Sequence, residues 1–191
     1  MDANKKFAVP ARWPVDFGVA CSPLVEGDKV IVNVGGKDAS VVAFKKDTGD
    51  VAWKSLDERA SYSSGIAFGK GKQRQVVFLT ARGVRSLDPD NGKPFWTFPL
   101  VDKLNESSTT PVRVGDVLLA SSVTFGSVGL RLGNGKPTAQ ELWKNPDLTC
   151  YFSTPIPVGA EYVYLVTGKA LTRSPSSTLR CVEVKTGKER W

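Results

Sequence analysis

One spacing recurs along this chain and constrains its fold more than any other feature. A small residue is followed by a glycine six positions later and by a tryptophan four positions after that. The intact copies are Ala43, Gly49 and Trp53; Ser86, Gly92 and Trp96; and Cys181, Gly187 and Trp191. Recurrence at intervals of roughly 40–50 residues indicates a repeat architecture, in which each copy forms one supersecondary unit and neighbouring units bury each other.

A further copy of the spacing is imperfect. Gly129 and Gly135 keep the first two positions, but Ala139 stands where the tryptophan is expected, and Trp143 comes four residues later. We therefore predict that this unit has a longer final hairpin and an altered seam with its neighbour.

Each unit reads as four short antiparallel strands. In the first unit, runs of β-branched residues at 29–34 and 40–44 are separated by turns rich in glycine and aspartate, which is a hairpin signal. No segment of a dozen residues carries helical periodicity, so an all-β fold is predicted. The predicted units, named blades 1 to 4 below, are residues 20–53, 54–96, 97–143 and 144–191, and residues 1–19 are predicted to form a terminal strand of a preceding or closing blade.

The absence of histidine and the small number of cysteines exclude several kinds of catalytic and metal site. The 191 residues include no histidine, which removes the usual general base, the Ser-His and Cys-His pairs, and most catalytic zinc sites. Cys21, Cys150 and Cys181 are odd in number and contain no CxxC pair, so neither a disulfide framework nor a zinc ribbon is indicated. No catalytic residue and no metal ligand is predicted.

The charge and hydropathy patterns disfavour nucleic-acid and membrane-spanning roles. The net charge is +7, but the cations are scattered through turns rather than gathered in a basic stripe with interleaved aromatic residues. No apolar run approaches the roughly 18 residues that a membrane-spanning helix needs, and the N-terminus lacks the apolar core of a secretory signal. We predict no nucleic-acid partner and no transmembrane segment.

The repeated tryptophan has a physical role that follows from sheet packing. A four-stranded sheet has two faces to bury, and stacking sheets face to face around an axis buries both. A tryptophan on the outer strand can lie over the next blade while its indole N–H reaches a backbone acceptor. The glycine permits the tight last hairpin, and the small residue lets the indole approach the strand. The predicted structural docking residues are Ala43, Gly49, Trp53, Ser86, Gly92, Trp96, Gly129, Gly135, Trp143, Cys181, Gly187 and Trp191.

These features together resemble a known family. The docking spacing with its Asp47-Thr48-Gly49 turn, preceded by Ser22-Pro23 and a Gly-Asp hairpin, is similar to the tryptophan-docking repeat of the PQQ-like β-propellers. That family includes the eight-bladed quinoprotein alcohol dehydrogenases and the BamB-like outer-membrane assembly proteins. The resemblance covers residues 20–191 and implies a β-propeller of four-stranded antiparallel blades. About four blades are present, as part or half of a seven- or eight-bladed ring.

The resemblance offers an enzymatic and a non-enzymatic branch. In the quinoprotein dehydrogenases it implies PQQ beside a calcium ion, an Asp base, a tryptophan beneath the cofactor and, in many members, a disulfide between adjacent cysteines. This chain has no adjacent cysteine pair, and docking positions account for all five tryptophans. We therefore favour a non-enzymatic scaffold that binds a protein partner or a ligand and has no cofactor. The alternatives are a fragment of a PQQ- and calcium-dependent dehydrogenase and the sensor domain of a larger protein.

The resemblance also bears on location and assembly. It favours a periplasmic or other extracytoplasmic setting, although the chain itself shows no signal peptide. Because four units are fewer than a full ring, either two copies pair to complete eight blades or the missing blades belong to a longer chain. A closed four-bladed monomer is the runner-up. Insertions at residues 69–74, 134–141 and 168–177 are interpreted either as partner-binding loops or as tolerated surface elaborations.

Overall fold

Antiparallel hairpins joined by tight turns account for almost all regular structure in this chain. The computed structural model describes residues 2–9, 18–169 and 176–191. Within these residues the only α-helix is α1, Ala3–Lys6, and a 3-10 turn covers Gly71–Gln73. No helix among them is long and apolar enough to cross a membrane. The all-β prediction is confirmed.

Blade 1 shows how the sequence builds one unit. Its strands are β1 (Leu24–Glu26), β2 (Lys29–Gly36), β3 (Ala39–Lys45) and β4 (Val51–Ser55), paired in that order and all antiparallel. The first hairpin turns at Gly27, whose φ of +59° is in the left-handed region that glycine adopts without steric cost.

Blades 2 and 3 repeat this order. Both are four-stranded antiparallel sheets in which consecutive strands pair. Blade 2 consists of β5 (Ile66–Phe68), β6 (Gln75–Thr80), β7 (Gly83–Leu87) and β8 (Pro94–Pro99). Blade 3 consists of β9 (Val112–Val114), β10 (Val117–Ser122), β11 (Gly126–Leu132) and β12 (Ala139–Asn145).

Blade 4 differs from the predicted four strands. It has β13 (Ile156–Val158), β14 (Tyr162–Lys169) and β15 (Ser176–Glu183), and the segment after β15 contributes an isolated bridge between Val182 and Glu189 instead of a fourth strand. The insertion predicted at 168–177 is shorter than expected, because β14 and β15 extend their ladder two pairs into it. Its tip, residues 170–175, lies outside the described residues.

The core lies between the blades rather than inside any one of them. Successive faces form three buried clusters, each drawing on two neighbouring blades. Ile31 of blade 1 packs with Phe78 of blade 2, Leu79 of blade 2 with Leu118 of blade 3, and Leu119 of blade 3 with Leu165 of blade 4. Blades 2 and 3 are therefore buried on both faces by their neighbours in sequence order.

The N-terminal segment covers the remaining face of blade 1. Phe7 and Val9 pack against Phe44 and Val42, and the rings of Phe7 and Phe44 are 6.1 Å apart. The described part of the predicted terminal strand, residues 2–9, contains helix α1 rather than a strand. Residues 10–17, including Trp13, lie outside the described residues, so the assignment of 1–19 to a further blade stays a prediction.

Candidate functional site: the seams between blades

The docking motif has one backbone pattern in every blade. Ala43 pairs with Trp53, Ser86 with Trp96 and Gly129 with Trp143, and a register shift follows each of these pairs. In blade 4 the Cys181 N–H donates to the Trp191 carbonyl at 3.0 Å, which repeats the pairing. The tryptophan is therefore always the residue opposite the small one, including Trp143 in the blade whose spacing is irregular.

The motif glycines of the regular copies close the same turn. The N–H of Gly49, Gly92 and Gly187 each donates to the carbonyl four residues earlier at 2.8 Å, and all three glycines have φ between +68° and +74°. A residue with a Cβ is disfavoured in this conformation, so glycine is the residue that closes the hairpin at least cost.

The seam between blades 1 and 2 joins Trp53 to the next glycine. The Trp53 indole is 7% exposed, and its Nε1–H donates to the Pro89 carbonyl at 3.0 Å. A Cβ added to Gly92 would lie 2.5 Å from the Trp53 ring, so the indole rests directly on that glycine. The Ser55 hydroxyl adds a hydrogen bond to the Gly92 carbonyl at 2.6 Å.

The seam between blades 3 and 4 has the same geometry. The Trp143 Nε1–H donates to the Val184 carbonyl at 2.8 Å, and a Cβ on Gly187 would lie 2.5 Å from the Trp143 ring. Val184 precedes Gly187 by three residues, as Pro89 precedes Gly92. The late arrival of Trp143 in the sequence leaves this seam unchanged.

The seam between blades 2 and 3 is the different one. The Trp96 Nε1–H donates to the Gln75 side-chain oxygen of its own blade at 3.0 Å, and a Cβ on Gly135 would meet nothing within 4 Å among the described residues. The longer hairpin predicted for blade 3 is present, since β11 and β12 pair as far as Leu132 and Ala139. The longer hairpin of blade 3 alters the seam with the preceding blade, blade 2.

The last tryptophan has no blade over it among the described residues. Trp191 is 57% exposed, and its ring packs against Tyr164 at 5.5 Å. Ile156 and Leu179 on the same sheet are also more than half exposed. Blade 4 therefore presents an apolar outer face, whereas the corresponding face of blade 3 is covered by blade 4.

Hydroxyl residues just before each first strand link the blades a second time. The Ser64 hydroxyl accepts from the Ser22 N–H at 2.8 Å, and the Thr154 hydroxyl accepts from the Thr110 N–H at 3.1 Å. Ser63 donates to the Thr109 carbonyl at 2.8 Å. This linking role of the hydroxyl was not predicted from the Ser22-Pro23 position. The recurrence of a serine or threonine at this position in successive units is the sequence signal for it.

Two acidic residues in the connections between blades are bound to the following blade. Glu58 forms a buried ion pair with Arg85 at 2.9 Å and accepts from the Thr80 hydroxyl at 2.6 Å. Asp102 is buried, accepts from the Glu106 N–H at 3.1 Å and also accepts from the Thr124 hydroxyl. Both carboxylates hold the turn between the second and third strands of the next blade.

Burial shifts the pKa values of two thiols and one phenol and so limits their reactivity. Burial raises the pKa of the Cys21 and Cys150 thiols, which keeps them protonated and weakly nucleophilic. Burial, together with the hydrogen bond to Glu106, raises the pKa of the Tyr151 hydroxyl far above its usual range. Within the described residues no group of three or more His, Cys, Asp or Glu is placed to hold a metal ion.

The positions of the tryptophans and cysteines can be compared with the PQQ site that the family resemblance implies. The family's cofactor site implies a tryptophan beneath the ring and a pair of adjacent cysteines, but the Trp53 and Trp143 indoles lie against glycines in the seams, and the three cysteines are free. The described residues therefore do not fit this arrangement.

Comparison with known proteins agrees with the repeat geometry. Residues 10–191 match the family described as outer membrane protein assembly factor BamB. The chain belongs to this family. Among solved structures, BamB from Moraxella catarrhalis superposes with a TM-score of 0.62 and 19% identity, covering 88% of this chain and 50% of that one. The computationally designed Ika8 protein gives a TM-score of 0.56 at 14% identity, covering 88% of this chain and 47% of that one. The PQQ-like β-propeller fold is confirmed.

Similarity to curated proteins is partial. The chain is 31% identical over 110 residues to the quinoprotein alcohol dehydrogenase PedH of Pseudomonas putida, covering 52% of this chain and 18% of that protein. It is 32% identical over 129 residues to the quinoprotein ethanol dehydrogenase of Pseudomonas aeruginosa, covering 56% of this chain and 20% of that protein. The chain thus spans about a fifth of the length of these relatives.

Proposed function

We propose that this chain is a non-enzymatic propeller scaffold that binds a protein partner in the cell envelope. The observation that carries the proposal is the match of residues 10–191 to a family described as an outer membrane protein assembly factor. The seams are consistent with it, because Trp53, Trp143 and the linking carboxylates of Glu58 and Asp102 hold neighbouring blades together as one scaffold. A rigid sheet scaffold with variable loops is a common basis for protein recognition.

Partner capture tests the proposal directly. The purified chain is immobilised and exposed to detergent-solubilised envelope from the source cells, and the retained proteins are identified by mass spectrometry. We expect enrichment of outer-membrane assembly proteins over a resin that carries an unrelated β-propeller. Retention of the same proteins by both resins, or of none by this chain, would refute the scaffold function.

The quinoprotein relatives supply the second candidate function, a fragment of a PQQ- and calcium-dependent dehydrogenase. It is favoured by the 29–32% identity to three enzymes that are named as quinoprotein or quinone alcohol dehydrogenases. The chain is incubated with PQQ and Ca²⁺, and its melting temperature and dye reduction with ethanol or 1-butanol are measured. The scaffold proposal expects neither thermal protection nor dye reduction, while either signal would favour the enzyme.

The apolar outer face of blade 4 supports a proposal about assembly. We infer that another blade covers Trp191, Tyr164 and Leu179, and that in the isolated chain this blade comes from a second copy, giving an eight-bladed pair. Exposed apolar faces of this kind favour association. Light scattering should report twice the 20.6 kDa chain mass, and Trp191→Arg should return the single-chain mass. A wild-type monomer would refute the pair and favour further blades within a longer chain.

A further inference from the structure

Two departures from the repeat meet at one place in the fold. The insertion at residues 69–74 of blade 2 and the lengthened β11–β12 hairpin of blade 3 both border a cleft of about 670 Å³ at the seam between these blades. Gln73 lines it from the first insertion, and Asn134, Thr138 and Gln140 line it from the second. This seam is also the one at which the tryptophan does not reach the next glycine.

The cleft follows from the length of the hairpin. In blade 1 the ladder beyond the Ala43–Trp53 pair ends after Phe44 and Val51, whereas in blade 3 two further pairs follow Leu130 and Glu141. Two more residues per strand lengthen the hairpin by about 7 Å, at about 3.3 Å per residue. Gly135 therefore lies at the hairpin tip, where an added Cβ would meet nothing within 4 Å among the described residues, and the Trp96 indole packs in the core cluster of blades 2 and 3 instead of on this glycine.

The charge of the cleft is set by two arginines. The Arg113 guanidinium stacks on the Phe68 ring at 4.9 Å, and its Nε–H donates to the Gly115 carbonyl at 2.8 Å. These contacts orient the exposed side chain and leave its two terminal amino groups without a partner among the described residues. Arg131 also lines the cleft, and neither arginine belongs to an ion pair within the described residues.

The acidic residue of the cleft does not neutralise this pair. Asp116 lines the same wall but is not within ion-pair distance of either arginine in the described structure. A guanidinium oriented in this way, with free N–H groups, is suited to bidentate recognition of a carboxylate. The net charge of +7 adds long-range attraction for an acidic partner.

We propose that the cleft between blades 2 and 3 binds an acidic peptide segment of a partner protein, with Arg113 and Arg131 as its carboxylate-binding residues. This inference rests on the proposed scaffold function, since it names the chemistry of the partner. It also distinguishes between the two interpretations of the insertions: 69–74 and 134–141 form a binding site together, and neither is merely a surface elaboration.

The test uses a fluorescein-labelled short peptide rich in aspartate and glutamate, titrated into the full chain and followed by fluorescence anisotropy. Arg113→Gln with Arg131→Gln should weaken binding by about tenfold or more, because two charge-assisted contacts are lost. The matched control is Lys45→Gln with Lys46→Gln, which removes the same charge from an exposed turn of blade 1 and should change binding by about twofold or less. Gln140→Trp, which fills the cleft at unchanged charge, should also weaken binding.

The outcomes separate this inference from the proposed function. Equal weakening by the two double variants, or no binding of the acidic peptide to wild type, would refute the proposal that the cleft binds an acidic peptide. If the arginine double variant then captures envelope partners as well as wild type does, the scaffold function stands without the cleft. If wild type captures no partner, the scaffold function itself fails. Unchanged melting temperatures of the exposed-residue variants establish that each difference reflects binding.

Discussion

Substitution of the motif glycines tests the docking geometry quantitatively. Gly92→Ala places a Cβ 2.5 Å from the Trp53 ring at a backbone φ of +74°, whereas Gly135→Ala places one at φ +87° with nothing within 4 Å among the described residues. Both substitutions incur left-handed strain of about 1–2 kcal/mol. Only Gly92→Ala adds overpacking of about 1–3 kcal/mol. We therefore expect Gly92→Ala to destabilise the chain by about 1–3 kcal/mol more than Gly135→Ala.

A double-mutant cycle identifies the indole as the cause. Trp53→Leu alone removes the hydrogen bond to the Pro89 carbonyl and part of the buried ring, at about 2–4 kcal/mol. In that background the added methyl group of Gly92→Ala has room, so the double variant should be less destabilised than the sum by about 1–3 kcal/mol.

Urea unfolding followed by far-ultraviolet circular dichroism measures all four variants without relying on tryptophan emission. Equal m-values indicate that differences in midpoint reflect stability rather than a change in the unfolding transition. If Gly92→Ala and Gly135→Ala cost the same within about 0.5 kcal/mol, or if the cycle is additive, the indole does not bear on Gly92 and the docking argument fails.

Three further predictions concern ionisable groups. Glu58→Gln leaves the buried Arg85 uncompensated and should cost about 3–5 kcal/mol in urea unfolding, whereas a loss below about 1 kcal/mol would mean that the pair is solvated. Glu26 has a pKa lowered by its hydrogen bond to Arg74, so its stabilisation is present above the ordinary value of 4.5 and is lost as the pH falls through the lower folded value. The stability difference between wild type and Glu26→Gln should thus be about 0.5–1 kcal/mol at neutral pH and vanish in acid, and a difference that grows in acid would contradict the assignment. The Cys150 thiol should react with a disulfide reagent only on unfolding, and fast reaction in the native chain would show that it is not buried.

The hairpins could be predicted from the sequence because each is specified by residues that are adjacent in the chain. The Asp47-Thr48-Gly49 turn carries its glycine at the position that needs positive φ, and alternating β-branched residues supply the strands on either side. The pairing of the small residue on the third strand with the tryptophan on the fourth strand also follows from the spacing. These features depend on a few adjacent residues, so they can be read without knowing what packs on them.

Contacts between residues that are far apart in the sequence could not be predicted in this way. Nothing local to Trp96 indicates that its indole bonds Gln75 instead of the next blade, since that depends on a hairpin some forty residues later. The arginines of the cleft are likewise separated in sequence from Gln73 and brought together only by blade stacking. Helix α1 was missed because its four residues are too few to show helical periodicity.

The irregular blade shows that the docking motif consists of two independent halves. The small residue and the tryptophan form a donor half, fixed by strand pairing, and the glycine with the residue three before it forms an acceptor half, fixed by hairpin length. Blade 3 keeps the donor half, so Trp143 docks on blade 4 as Trp53 docks on blade 2. Its acceptor half is displaced, because the Leu132 position lies within an extended ladder and Gly135 lies beyond it. An insertion in a last hairpin therefore alters the seam with the preceding blade and leaves the following seam intact, which is why the open cleft lies between blades 2 and 3.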